Sequence, residues 1–122
     1  MSGQLPVLSE GDVVLVRFDP AFGHEQTGTR PALVVSRSIY NALSSFVVVC
    51  PLTTNAKAWP FKLPLPTQST VKGFVLADQL KSIDRRRVVR KLSRLDTAFL
   101  DEVRALMDHL LPASPERPPI AP

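Results

Sequence analysis

The sequence predicts a mainly-β single domain, a small and strongly bent sheet or barrel followed by one C-terminal α-helix. The length of 122 residues is that of one domain. Apolar residues make up 44% of the chain, close to the globular average, which excludes disorder as the main state. Several short apolar segments, bounded by prolines, glycines and polar residues, precede a single stretch with helical spacing.

The first third of the chain contains two segments with the composition of strands. Residues 11–19 (GDVVLVRFD) are β-branched and apolar between polar ends. Residues 20–29 (PAFGHEQTGT) form a polar loop that is long for a compact domain, and such loops often carry function. Residues 31–36 (PALVVS) predict a second strand, buried on both faces, and residues 38–43 (SIYNAL) a short helical turn.

The middle of the chain predicts four further extended segments. Residues 46–50 (FVVVC) predict a third buried strand, which Pro51 is expected to end. Residues 60–65 (PFKLPL) alternate, but their prolines confine them to a sheet edge or a connection. Residues 73–80 (GFVLADQL) and 87–91 (RVVRK) predict the last two strands.

A single helix is predicted near the C-terminus. Asp96 is a suitable N-cap, and Leu95 and Leu100 occupy the positions of a hydrophobic staple around it. We expect the helix to end at Pro112 and its apolar stripe to pack in the core or against a second copy of the chain. The stripe consists of residues at helical spacing: Leu100, Val103, Met107 and Leu110.

The domain is expected to span residues 11–111, between a flexible N-terminus (1–10) and a proline-rich disordered tail (112–122). No apolar run approaches the ~20 residues of a membrane span. The first residues lack the layout of a signal peptide, so we expect a cytoplasmic protein without membrane association.

Metal and disulfide chemistry find no support in the sequence. Cys50 is the only cysteine, which excludes an internal disulfide and a cysteine-built zinc site. His24 and His109 lie in unrelated contexts, so neither a metal site nor a cofactor is expected.

The net charge of +4 is concentrated in one block. Residues 81–94 (KSIDRRRVVRKLSR) hold seven of the 15 basic residues and one of the 11 acidic ones, so the remainder is slightly acidic. Such a block on a near-neutral body suggests a polyanion or an acidic protein segment as partner. The alternative is a solvated strand and turn with no partner.

Polar segments interrupt the apolar strands at three places. The first places His24, Glu25 and Arg30 within seven residues, an imidazole, a carboxylate and a guanidinium that can clamp a phosphate. Alternatively, Arg30 pairs with Glu25 or an aspartate to tie down the loop. The others are residues 51–54 (PLTT) and 77–82 (ADQLKS), which can bind a phosphate, a ribose or a base edge, or can simply form turns and bulges.

Together these segments resemble the MazF/PemK family, which includes the toxin Kid. The resemblance is carried by residues 11–36 (GDVVLVRFDPAFGHEQTGTRPALVVS), 47–54 (VVVCPLTT) and 73–84 (GFVLADQLKSID), in the family's order and spacing. It implies an SH3-like (CcdB/MazF-type) barrel with a C-terminal helix, acting as a homodimer. It also implies a type II toxin, inhibited by a cognate antitoxin with an acidic disordered tail.

The activity that the resemblance implies is ribosome-independent, metal-independent cleavage of single-stranded RNA at short motifs. The ribose 2′-hydroxyl attacks the adjacent phosphate and leaves a 2′,3′-cyclic phosphate and a 5′-hydroxyl. MazF-like members assign catalysis to positions that are Arg30 and Thr53 here, with Glu25 contributing. Kid-like members use a histidine and an aspartate that match His24 and Asp78, and an arginine whose position holds Leu76. The chain is therefore placed nearer the MazF type.

The assignment of the proton acceptor and donor stays open among three residues. Arginine can stabilise the charge of the transition state but is a poor proton donor, whereas histidine is the better acid/base group. His24, Glu25 and Arg30 all remain candidates. RNA contacts are expected from polar, basic and aromatic side chains: Thr54, Trp59, Asp78, Gln79, Lys81, Ser82, Arg85, Arg86 and Arg87.

Two other functions are compatible with this architecture. One is a non-catalytic SH3-like module that binds nucleic acid or protein, because a fold does not fix a function. The other is a gyrase-poisoning toxin of the same fold, in which the HEQ and LTT elements would have no evident role.

Overall fold

The computed structural model describes residues 7–18 and 28–111. Within them lie seven strands, two α-helices and two 3₁₀ turns. The strands are β1 (Asp12–Arg17), β2 (Thr29–Val34), β3 (Phe46–Thr53), β4 (Lys62–Pro64), β5 (Phe74–Leu76), β6 (Lys81–Asp84) and β7 (Val88–Arg94). The helices are α1 (Ser38–Leu43) and α2 (Thr97–Met107), and the 3₁₀ turns are Ala77–Gln79 and Arg85–Arg87.

The strands form one antiparallel sheet in the order β4-β5-β3-β2-β1-β7, with β6 paired to β3 beside β5. The predicted mainly-β domain with a C-terminal helix is therefore confirmed. The prolines of residues 60–65 do lie at an edge, because β4 is the end strand of the sheet. The predicted helical turn over residues 38–43 is confirmed as α1.

The central strands are buried on both faces, as their continuous apolar runs predict. Successive side chains of a strand point to opposite faces, so each strand supplies two core layers. One layer packs under α2 and contains Val13, Leu33, Cys50, Leu52, Leu65, Val75, Leu95, Phe99, Leu100 and Val103. The other contains Leu8, Val14, Val16, Phe18, Ala32, Val34, Val47, Val49 and Ile83.

The expectation that Pro51 ends the third strand is wrong, because β3 continues to Thr53. On one side β3 pairs with β6 as far as Val49 and with β5 from Leu52 onward. Pro51 lies between these two ladders, so its missing N–H breaks neither of them. The longer strand carries Thr53 to the sheet end.

The prediction of a single strand over residues 73–80 is also wrong. The chain leaves β5 after Leu76, forms the 3₁₀ turn Ala77–Gln79, and re-enters the sheet as β6. The two strands pair with different parts of β3, and the turn between them lets the chain change position. Asp78 and Gln79 consequently project from a turn instead of alternating along a strand.

The helix α2 begins as predicted, since the Asp96 carboxylate accepts a hydrogen bond from the Phe99 N–H at 3.0 Å. It ends at Met107, before Pro112, and Leu110 is exposed beyond its end. Residues 1–6 and 112–122 of the predicted termini lie outside the described residues. Leu8 is 2% exposed and packs in the core. None of the helices in residues 7–18 and 28–111 is long and apolar enough to cross a membrane.

Candidate active site

A groove of about 490 Å³ opens where β3 ends and the first 3₁₀ turn begins. Two of the three polar segments meet here, because β3 delivers Thr53 while the turn after β5 delivers Asp78 and Gln79. Of the sequence-predicted site residues, the structure therefore brings together Thr53, Trp59, Asp78 and Gln79. The groove is lined by Thr53, Asn55, Lys57, Ala58, Trp59, Lys62, Leu76, Asp78 and Gln79.

Thr53 is fixed by backbone contacts on both sides of the strand end. Its Oγ1 accepts a hydrogen bond from the Asn55 N–H at 3.1 Å, which turns the chain out of the sheet. Gly73, directly before β5, approaches closely and has a φ of +127°. A Cβ at that position would lie 2.5 Å from the Thr53 carbonyl oxygen, so only glycine fits. The hydroxyl of Thr53 is thus held at the groove with its own proton available for donation.

Lys62 organises the segment between Thr53 and the aromatic residues. Its Nζ donates hydrogen bonds to the carbonyl oxygens of Asn55 at 2.7 Å and Lys57 at 2.6 Å. The same ammonium lies 5.5 Å from the centre of the Phe74 ring, within cation–π range. Lys62 was not among the predicted site residues, because its partners are backbone carbonyls that leave no trace in a pattern of side chains.

Trp59 forms one wall of the groove and is tied to the opposite wall. Its Nε1–H donates to Asp78 Oδ2 at 2.9 Å, and its ring contacts Phe61 with the ring centres 5.9 Å apart. The indole nevertheless remains 49% exposed. A large, fixed and half-exposed aromatic face in a groove is suited to stacking against a planar ligand.

Two of the residues that line the groove each carry a buried acceptor oxygen without a hydrogen-bond partner. Asp78 Oδ1 and Gln79 Oε1 have no hydrogen-bond partner within residues 7–18 and 28–111. Most buried polar atoms do have a partner, so these two are exceptions that call for an explanation. The Asp78 charge also acts on the core beneath, since burial and, secondarily, this carboxylate raise the pKa of the Cys50 thiol to about 12.

Arg30 lies on β2, next to the strand that carries Thr53. The β2–β3 ladder pairs Ala32 with Pro51, and its register continued by two residues sets Arg30 beside Thr53. The Arg30 side chain is exposed and is not among the described residues that line the groove. His24 and Glu25 lie outside the described residues.

Five predicted RNA-contacting residues of the basic block line two smaller pockets instead of this groove. Lys81, Ser82 and Arg87 line a pocket of about 330 Å³, in which the Lys81 ammonium lies 5.5 Å from the Phe18 ring centre. Arg85 and Arg86 line another, of about 290 Å³. Thr54 is exposed directly after β3.

Arg86 is engaged by its own turn. The Asp84 carboxylate accepts from Arg86 Nε at 3.0 Å and from Nη2 at 2.8 Å, and it also accepts from the Arg86 N–H. The guanidinium of Arg86, followed by its backbone N–H, holds the pKa of the Asp84 carboxyl well below its usual range. Arg86 would have to exchange this pairing for a phosphate.

The sequence and the fold are similar to those of known toxins. The endoribonuclease toxin MazF of Escherichia coli K12 is 45% identical over 73 residues, which cover 60% of this chain and 65% of that protein, just under two thirds of its length. The crystal structure of MazF (Form-I) from Deinococcus radiodurans has a TM-score of 0.79 at 40% identity, covering 88% of this chain and 97% of that one.

The MazF chain in a MazE–MazF structure (Form-II) from the same organism has a TM-score of 0.78 at 40% identity, with 89% and 99% of the two chains covered. These likenesses confirm the predicted MazF-type fold. Residues 9–111 match the family described as the PemK-like, MazF-like toxin of type II toxin–antitoxin systems. Because the match spans most of the sequence, this chain belongs to the PemK-like, MazF-like toxin family.

Proposed function

We propose that this chain is the toxin of a type II toxin–antitoxin module and an endoribonuclease that cuts single-stranded RNA. The observation that carries the proposal is the meeting of Thr53 and Asp78 at a groove with an exposed indole, next to the strand that holds Arg30. Relatives from Escherichia coli and Bacillus subtilis are named endoribonucleases, which supports the same activity here.

The reaction uses the substrate's own nucleophile. The ribose 2′-oxygen forms a bond to the adjacent phosphorus while the bond from phosphorus to the 5′-oxygen breaks. The products are a 2′,3′-cyclic phosphate and a 5′-hydroxyl. The step needs an acceptor for the 2′-proton, a donor for the leaving 5′-oxygen and positive charge on the phosphorane-like transition state.

Arg30 and Thr53 together stabilise the charge that develops on the phosphate. The Arg30 guanidinium places a fixed charge on the phosphate, since its backbone is held in β2. The Thr53 hydroxyl, already accepting from Asn55, donates its proton to a phosphate oxygen or to the 2′-oxygen. Proton transfer is assigned to the segment that precedes β2 in the sequence and contains His24 and Glu25.

The proposal includes a homodimer, a cognate antitoxin with an acidic disordered tail, and a cytoplasmic location, where messenger RNA is the substrate. Exposed apolar side chains on α1 support a contact with a second copy, with Ile39 65% and Leu43 82% exposed. The pocket formed by Arg17, Lys81 and Arg87 supports binding of an acidic segment or of RNA phosphates. An antitoxin named MazE occurs in the related Deinococcus complex.

The decisive experiment incubates the purified chain with a mixed-sequence transcript in the presence of EDTA. Cleavage that leaves cyclic phosphates and 5′-hydroxyl ends supports the proposal. The Thr53→Val variant should cut far more slowly, whereas Thr70→Val, on the exposed loop after β4, should cut at the native rate. Binding without cleavage by the folded native chain would instead indicate a non-catalytic module.

A further inference from the structure

We propose that Lys62 is a positioning residue for RNA cleavage. Its ammonium holds the backbone of Asn55 at the end of β3, and Asn55 in turn orients the Thr53 hydroxyl in the groove. This inference rests on the proposed function, because it concerns the rate at which the chain cuts RNA. It assigns a role to a charged side chain whose contacts are with the protein's own backbone.

The segment between β3 and β4, residues 54–61, lacks contacts that would keep it in place by packing. It forms neither helix nor strand, and residues 54–60 are all exposed. A segment with so few buried contacts has low local stability unless polar contacts tie it down. It nevertheless carries Asn55 and Trp59, which both line the groove. The shape of the groove therefore depends on the hydrogen bonds made by this segment.

Lys62 binds the segment at three successive places. Its Nζ donates to the carbonyl oxygens of Asn55 at 2.7 Å and Lys57 at 2.6 Å, and its backbone N–H donates to that of Trp59 at 3.1 Å. Hydrogen bonds from an ammonium are roughly twice as strong as those between neutral groups. Within the segment, the Lys57 N–H also donates to Asn55 Oδ1 at 2.8 Å, so the two clamped residues support each other.

Lys62 is itself held by the edge of the sheet. It lies in β4, where it pairs with Leu76 of β5, and its side chain is partly buried. Its ammonium lies 5.5 Å from the centre of the Phe74 ring, also in β5. A lysine side chain has several rotatable bonds, so a charge fixed in this way is a firm anchor only because the strand and the ring restrict it. The clamp therefore couples the exposed segment to the sheet.

Asn55 transmits this restraint to the reacting group. Its carbonyl binds Lys62, and its N–H donates to Thr53 Oγ1 at 3.1 Å. That bond occupies one acceptor site of the hydroxyl and so directs its proton elsewhere. The Trp59 indole keeps its own bond to Asp78 Oδ2 and does not need the ammonium. Loss of the clamp should consequently disturb the orientation of Thr53 more than the binding of RNA.

The first test is the kinetics of Lys62→Met, a neutral side chain of similar length without N–H donors. We expect kcat to fall by about tenfold, because small misplacements of a reacting group are costly. KM should stay within about twofold of the native value. Its dependence on salt should also keep the native slope, because the ammonium contacts carbonyls and not phosphates.

Lys72→Met is the matched control for this variant. It removes the same charge and the same kind of bond, since Lys72 Nζ donates to the Thr67 carbonyl oxygen at 3.0 Å. Lys72 is not among the described residues that line the groove. We therefore expect its kcat to equal the native value.

The second test restores the ammonium without the side chain. Lys62→Ala removes the four atoms that propylammonium, with its three carbons and one nitrogen, can replace. Added propylammonium should raise kcat of this variant severalfold, because its N–H groups can bind the carbonyl oxygens of Asn55 and Lys57. Tetramethylammonium carries the same charge but has no N–H, and it should have no effect.

The third test follows the segment itself by amide hydrogen exchange, without RNA. The N–H groups of Asn55 and Lys57 are both hydrogen-bonded and should exchange faster in Lys62→Met but not in Lys72→Met. Failure of the proposed function looks different, since the native chain would then leave transcripts intact while these amides still lose their protection.

Three results would overturn the inference. One is a native kcat in folded Lys62→Met, and another is unchanged exchange of the two amides. The third is a raised KM at native kcat with a salt slope smaller by about 0.7, which would mean that the ammonium binds an RNA phosphate directly. If circular dichroism shows that Lys62→Met does not fold, the comparison of propylammonium with tetramethylammonium on Lys62→Ala decides.

Discussion

Asp12 is buried and Asp78 is partly buried, but their carboxylates differ in how completely they are hydrogen-bonded. Asp12, at the start of β1, uses both carboxylate oxygens, accepting from the Ser9 N–H at 2.8 Å and from Arg94 Nη1 at 2.8 Å. The Lys91 ammonium lies 3.4 Å away on the Ser9 side. Asp78 binds Trp59 with one oxygen, and its other oxygen is buried without a partner in the part of the chain that the structure describes.

Asn41, in α1, shows that complete pairing is the rule at the end of the sheet where Asp12 lies. Its Nδ2 donates to the carbonyl oxygens of Leu8 and Ser36 at 3.0 Å each, and its Oδ1 accepts from the Ser36 hydroxyl. At this end of the sheet, buried polar groups hold the ends of helices and strands in place by hydrogen bonds. The groove end instead holds two buried acceptor oxygens, Asp78 Oδ1 and Gln79 Oε1, that have no partner among the described residues.

The largest effect is expected from Arg30→Ala. Arg30 is exposed on β2, so its loss should leave the free energy of unfolding nearly unchanged while removing the charge on the transition state. We expect the cleavage rate to fall by about 10³-fold, measured on a labelled transcript. Arg104→Ala, on the exposed face of α2, is the matched control and should cut normally. Native rates for a correctly folded Arg30→Ala would remove this residue from the mechanism.

Gly73→Ala should lower both the free energy of unfolding and the cleavage rate, because it strains the backbone directly beside Thr53. The new Cβ would lie 2.5 Å from the Thr53 carbonyl oxygen, at a φ of +127°. We expect a loss of about 3 kcal/mol in the free energy of unfolding, together with reduced cleavage. Gly28→Ala separates strain from collision, since φ is +77° there and, among the described residues beyond its chain neighbours, no atom lies within 4 Å of the added Cβ. It should lose only about 1 kcal/mol in urea titrations; equal losses would contradict the role of the close approach.

Asp12→Asn and Asp78→Asn make the same chemical change at the two ends. At Asp12 the change replaces an acceptor oxygen with an NH₂ among donors, so we expect a loss of about 2 kcal/mol in the free energy of unfolding. RNA cleavage well below the melting temperature should be unaffected. At Asp78 the unfolding free energy should change by less than about 0.5 kcal/mol, because the changed atom had no partner to lose. Similar losses of unfolding free energy for Asp12→Asn and Asp78→Asn would contradict the proposed difference between the two ends of the sheet.

The parts of the fold that the sequence predicted are those governed by local periodicity and capping. Continuous apolar runs predicted that β2 and β3 are buried on both faces, and Asp96 predicted the start of α2. The run of β3 past Pro51 depended on which strands flank it, and that arrangement is a property of the whole sheet. The break between β5 and β6 has the same origin.

The sequence predicted which side chains form the site but not how they are arranged. Thr53, Asp78 and Trp59 were all identified from polar or aromatic segments, and the structure places them around one groove. That the basic block lines other pockets follows from the 3₁₀ turn Arg85–Arg87, whose arginines point to different sides. A run of like charges in a sequence carries no information on such a division.

The last expected effect lies at the end of the sheet that holds Asp12, and it depends on pH. Glu10 Oε1 accepts from the Ser38 N–H at 3.0 Å and from the Ser38 hydroxyl at 2.8 Å, and so caps α1 from outside the helix. A hydrogen bond from its own backbone, followed by that of the Ser38 hydroxyl, lowers the pKa of Glu10 below its ordinary value of 4.5. A carboxyl whose pKa is lowered by folding contributes stability above its unfolded pKa, and this contribution is lost as the pH falls.

Glu10→Gln keeps an acceptor oxygen but removes the charge. Near neutral pH the variant should lose about 1 kcal/mol in the free energy of unfolding, the difference between a charge-assisted and a neutral hydrogen bond. Below pH 4.5 the two curves should converge, because the native Glu10 is then progressively protonated as well. Urea titrations across this range measure the difference, with Glu102→Gln on the exposed face of α2 as the control. A difference that stays constant with pH would mean that Glu10 acts by its shape and not by its charge, and that this end of the sheet is held together without electrostatics.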